Sequence, residues 1–63
     1  MDAAAALAIL RDPHYFFVDR IHAAKDLHWW ITNGGSVPAD MSPVQVIKLS
    51  EMFVSINSYL GLI

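Results

Sequence analysis

An all-α fold is what these 63 residues predict: a small helical hairpin of two long amphipathic helices, preceded by a short helix and completed by oligomerisation. Three observations predict it. Asp12-Pro13 has the pattern of an N-cap followed by proline at the first helical position, and Asn33-Gly34-Gly35 supplies residues that tolerate the left-handed geometry closing a helix. Ser42 and Gln45 have capping-box spacing, with Met41 and Val46 placed as a hydrophobic staple. Within and after these signals, apolar residues recur at the helical period. The expected helices are 2–10, 13–32 and 43–60, with a loop over 33–42, in one small domain.

The first helix follows from Asp2 as cap and the alanines at 3–6, which have the highest helix propensity. Leu7, Ile9 and Leu10 give it one apolar edge, and it should stop near Arg11, because Pro13 disfavours helical geometry in the residue before it. So short a helix needs docking to persist. On the central helix, Phe16, Phe17, Ile21, Ala23, Ala24, Leu27, Trp30 and Ile31 share one broad face, the expected core face. Arg20 lies near its middle, where a guanidinium must find a carboxylate or carbonyls or extend to water, so it is expected at an intersubunit contact or a boundary. A second stripe places Tyr15, Val18 and Trp29 among His14, Asp19, His22, Lys25 and Asp26. On the last helix Val46, Leu49, Met52, Phe53, Ile56, Tyr59 and Leu60 form the expected inner face, with Val44, Ile47 and Val54 as a narrower one.

Composition argues for association. A chain that is 56% hydrophobic and 16% charged is apolar for its size, and small domains bury a smaller fraction of their surface than large ones. With no cysteine there is neither a disulfide framework nor a thiolate metal site to add stability. Four bases, Arg11, Arg20, Lys25 and Lys48, are scattered along a chain of net charge −2, so no basic patch for phosphate emerges and a nucleic-acid partner is not expected. Met1 is followed by an acid and an alanine run rather than a basic region, and no apolar stretch reaches membrane-spanning length. A cytoplasmic protein is therefore expected, with no membrane span.

Candidate chemistry is sparse. Asp19, His22 and Asp26 have i,i+3 and i,i+4 spacing, a lower-acidity version of the carboxylate–histidine pairs in di-metal bundles. One helix cannot complete such a site, although a symmetric dimer would supply the set twice. With Glu51 the only carboxylate on the last helix, a surface ion pair is the expected reading, and neither metal nor cofactor is expected. The serines lack any nucleophile context, and Asn33-Gly34-Gly35-Ser36 follows a helix instead of linking a strand to one, so neither catalysis nor a phosphate loop is expected.

Gly35-Ser36-Val37-Pro38-Ala39-Asp40, the run from Val46 to Ser55 and Tyr59-Leu60-Gly61 resemble the back half of Cro-like helix-turn-helix repressors, and Ala24-Lys25-Asp26-Leu27 resembles a piece of the first helix of their motif. That resemblance covers residues 24–61 and implies a dimeric DNA-binding regulator. It departs from the family after Leu27, where His28-Trp29-Trp30 leaves no room for the glycine turn and a full recognition helix. No DNA-contacting residue carries over.

The expected function is binding: a small accessory, regulatory or inhibitory protein, not an enzyme, that docks on a protein partner through an aromatic and aliphatic helical face. The chain is expected to be a homo-oligomer or a subunit of a larger assembly. The expected contact residues are Tyr15, Phe16, Phe17, Arg20, Trp29 and Trp30.

Overall fold

The computed structural model describes residues 2–37 and 41–63. Three α-helices and no strand occur among them: α1 (Ala3–Arg11), α2 (Phe17–Thr32) and α3 (Pro43–Leu60). Helix α2 packs against both α1 and α3 and is the centre of the fold. A radius of gyration of 10.8 Å is that of a chain already collapsed upon itself.

Helix α1 starts where its cap does. The Asp2 side chain accepts a hydrogen bond from the Ala4 N–H, satisfying one of the donors orphaned at a helix start. Helix α3 starts on a complete capping box: Ser42 Oγ accepts from the Gln45 N–H, and Gln45 Oε1 accepts from the Ser42 N–H, each at 3.2 Å. It ends at Gly61, whose φ of 65° is the left-handed conformation that closes a helix at least steric cost.

The start of α2 corrects the expectation from Asp12-Pro13. The helix begins at Phe17, four residues later than 13, and Asp12 caps the end of α1 instead, its N–H donating to the Ile9 carbonyl. Residues 12–15 form a turn closed by the Tyr15 N–H on the Asp12 carbonyl, with Pro13 at the second position. The Asp12 carboxylate accepts from the His14 N–H at 2.9 Å. An Asp-Pro pair suits the first two positions of a β-turn as well as it suits a helix start, and here the turn wins. Tyr15 and Phe16 consequently lie outside the helix, and His14 does not share it with His22 and His28.

The core gathers Ala6, Leu7 and Leu10 of α1, Ile21, Ala23, Ala24 and Leu27 of α2, and Val46 and Phe53 of α3. On α3 the buried line is Val46, Ser50, Phe53 and Asn57, which is turned by roughly 75°, three-quarters of a residue step, from the centre of the expected face. Two polar residues can occupy it because each is satisfied nearby. Ser50 Oγ donates to the Ile47 carbonyl, while Asn57 donates through Nδ2 to the Ile63 carbonyl and accepts the Ile63 N–H through Oδ1. The turn sends Met52, Tyr59 and Leu60, expected inside, to the surface. Phe16, also expected in the core, is 82% exposed.

Candidate functional site

Two surfaces carry the residues singled out in the sequence. The first is the apolar end at which α2 begins and α3 finishes. Phe17 stacks on Phe53 with ring centroids 5.4 Å apart, Asn57 lies one helical turn beyond Phe53, and Asn57 holds Ile63 by its backbone. This chain of contacts joins residues 15–17 to residues 59–63. Among the described residues eleven large hydrophobic side chains are exposed, and seven of them lie in these two stretches: Tyr15, Phe16, Phe17, Tyr59, Leu60, Leu62 and Ile63. Neither stretch contains a charged side chain. Sequence periodicity misses the α3 contribution because it assigns Tyr59 and Leu60 to the inner face; the apolar run Leu60-Gly61-Leu62-Ile63 was the available signal.

Arg20 holds this end to the rest of the fold. Its Nε donates to the Leu10 carbonyl at 3.0 Å, and its guanidinium carbon lies 4.8 Å from the centroid of the Phe53 ring. One side chain thus satisfies a carbonyl at the end of α1, where the helix has run out of its own donors, and places a cation on an aromatic face of α3. Arg20 is half-buried, and both of these contacts lie within the chain.

At the other end of α2, Trp29 and Trp30 divide into different roles. Trp30 anchors the following residues: its Nε1 donates to the Ser36 carbonyl at 2.7 Å, the Trp30 carbonyl accepts from the Gly35 N–H, and its ring lies directly against Gly35. Trp29 is 64% exposed. Both tryptophans, with Asp26 and Leu27, line a cleft of about 270 Å³ whose opposite wall is Ala3 and Ala6 of α1. Asp26, Trp29 and Trp30 are brought together by i,i+3 and i,i+4 spacing on α2, and the cleft stays open because the facing residues of α1 are alanines.

Asp19, His22 and Asp26 are all exposed, and among the described residues no three histidine or acidic side chains are grouped to hold a metal ion. His28 Nε2 lies 3.6 Å from Glu51 Oε1, a single exposed contact between α2 and α3. The Asp12 carboxyl is held below its ordinary value, first by the hydrogen bond from the His14 backbone and further by the His14 ring and the charge of Arg20. No described helix is long and apolar enough to cross a membrane. Of the segment resembling helix-turn-helix repressors, Pro38, Ala39 and Asp40 lie outside the described residues.

Compared with known protein families, with curated proteins and with solved structures, the chain matches none of them.

Proposed function

We propose that this chain is a small non-catalytic protein-interaction module that docks through the apolar end formed by residues 15–17 and 59–63, and that the surface it first meets there is a second copy of itself. The observation behind this reading is the concentration of exposed aromatic and aliphatic side chains in these two stretches, tied together through Phe17, Phe53 and Asn57. Exposed apolar side chains gathered into patches mark interaction sites. The absence of charge within both stretches makes the surface self-compatible: no side chain in it repels its own copy, and the net charge of −2 opposes association only weakly. An accessory or regulatory role in a larger assembly would use the same end.

Sedimentation equilibrium over a wide dilution series tests it. The chain should populate a dimer that dissociates on dilution, and the double variant Phe16→Ser/Leu60→Ser should weaken association by roughly a hundredfold or more, because each side chain is used twice in a two-fold interface. Both side chains are exposed, so circular dichroism should be unchanged. A monomer at every concentration, or a variant that associates like the parent, would overturn the reading.

A further inference from the structure

We propose that the cleft between α1 and the end of α2 binds an organic ammonium group, a quaternary or methylated ammonium such as ends a modified lysine or choline, with Trp29 and Asp26 as the recognising side chains. It lies apart from the docking end and stands or falls independently of it.

Three features carry the proposal. The cleft is lined by two tryptophans, one of them 64% exposed although no packing role requires it, and tryptophan is the best aromatic partner for a cation. The same cleft is lined by Asp26, an exposed acid whose side chain has neither a hydrogen bond nor a salt bridge among the described residues. An aromatic wall beside an unpaired carboxylate is complementary to a diffuse positive charge. Finally, its volume of about 270 Å³ is several times the ~30 Å³ share of one water, and the methyl groups of Ala3 and Ala6 form an apolar opposite wall. A methylated ammonium suits such a wall better than a bare one, because its methyl groups lose little by leaving water.

Trp30 contributes a fixed surface, since its indole N–H is held by Ser36 and its ring by Gly35. Trp29 contributes the accessible face.

The test is an NMR titration with tetramethylammonium chloride, with neopentyl alcohol as an uncharged analogue of similar shape and sodium chloride as the ionic-strength control. Saturable shifts are expected at the Trp29 indole N–H and the Ala3 and Ala6 amides, with neopentyl alcohol binding roughly tenfold more weakly. Trp29→Leu should weaken tetramethylammonium about tenfold and Trp29→Phe less, since phenylalanine keeps an aromatic face. Asp26→Asn should weaken it severalfold while leaving neopentyl alcohol unaffected. Equal binding of the uncharged analogue would show a merely apolar cleft and overturn the proposal, as would shifts that fail to saturate or that sodium chloride reproduces. Should Trp29→Leu disturb the helical signal, the charged-against-uncharged comparison and Asp26→Asn decide the matter with both rings in place.

Discussion

Two adjacent glycines, Gly34 and Gly35, should fail on substitution by alanine for different reasons, and the difference can be measured. A methyl group on Gly35 would overlap the Trp30 ring, whereas one on Gly34 would meet nothing within 4 Å. Gly35→Ala must therefore push the ring or the loop aside. Displacement breaks the bond from Trp30 Nε1 to the Ser36 carbonyl, worth about 0.5–1.5 kcal/mol, and adds roughly 1–3 kcal/mol of overpacking. Alanine returns ~0.4–1 kcal/mol by restricting the unfolded chain. The net loss is about 2 kcal/mol, which for a domain of this size lowers Tm by roughly 10 °C. Thermal unfolding followed by circular dichroism gives the number. The decisive arm is rescue: in a Trp30→Leu background the clash is gone, so adding Gly35→Ala should cost little and the two changes should be strongly non-additive. Gly34→Ala loses about 1–2 kcal/mol through its φ of +87°, and Trp30→Leu should not restore it. A Gly35→Ala chain within ~0.5 kcal/mol of the parent, or additive behaviour with Trp30→Leu, would refute the assignment of Trp30 as the loop's anchor.

Other expectations follow from the same contacts. Asn57→Ala removes both bonds that hold Ile63 and should lower stability by about 1–2 kcal/mol, with faster amide exchange at Ile63 as the local readout. Ser50→Ala should leave stability unchanged or raise it by a few tenths of a kcal/mol, because the hydroxyl only bonds back to the helix carbonyl at Ile47 and alanine is the better helix former; denaturant unfolding measures this. The Asp12 carboxyl, lowered in the folded chain, contributes stability above the ordinary carboxylate range and loses it as pH falls through its lowered value. Asp12→Asn should therefore narrow its stability gap to the parent as Tm is followed into acid. Arg20→Met keeps an apolar stem but loses the Leu10 bond and the Phe53 contact, and should cost about 1–2 kcal/mol in denaturant unfolding.

The sequence makes the helices legible wherever a cap has a single meaning. Ser42 and Gln45 place α3 at its first residue, and Asp2 places the start of α1 to within one residue, because each pattern satisfies backbone donors in one way only. Asp12-Pro13 has two solutions of similar local energy. The turn prevails here with the Asp12 carboxylate on the His14 N–H, displacing Tyr15 and Phe16 from the helix. The face of α3 is misread for a related reason. Periodicity counts apolar residues and treats Ser50 and Asn57 as outward, but both satisfy their polar groups within a few residues and can be buried. Once they turn inward, Met52, Tyr59 and Leu60 turn outward. Of the expected contact residues, Tyr15, Phe16 and Phe17 remain at the surface as part of the apolar end, Trp29 lines a separate cleft, and Arg20 and Trp30 are engaged inside the fold. The pairing of Asp26 and the tryptophans with Ala3 and Ala6 depends on how α1 docks on α2, a contact between distant residues that no local pattern encodes.

Amide chemical shifts followed through dilution test the proposal that the apolar end is where this chain meets its own copy. Concentration-dependent shifts are expected only at residues 15–17 and 59–63 and their immediate neighbours, with the Trp29 cleft unmoved. Shifts that cluster at the cleft, or a spectrum that does not change with concentration, would contradict it.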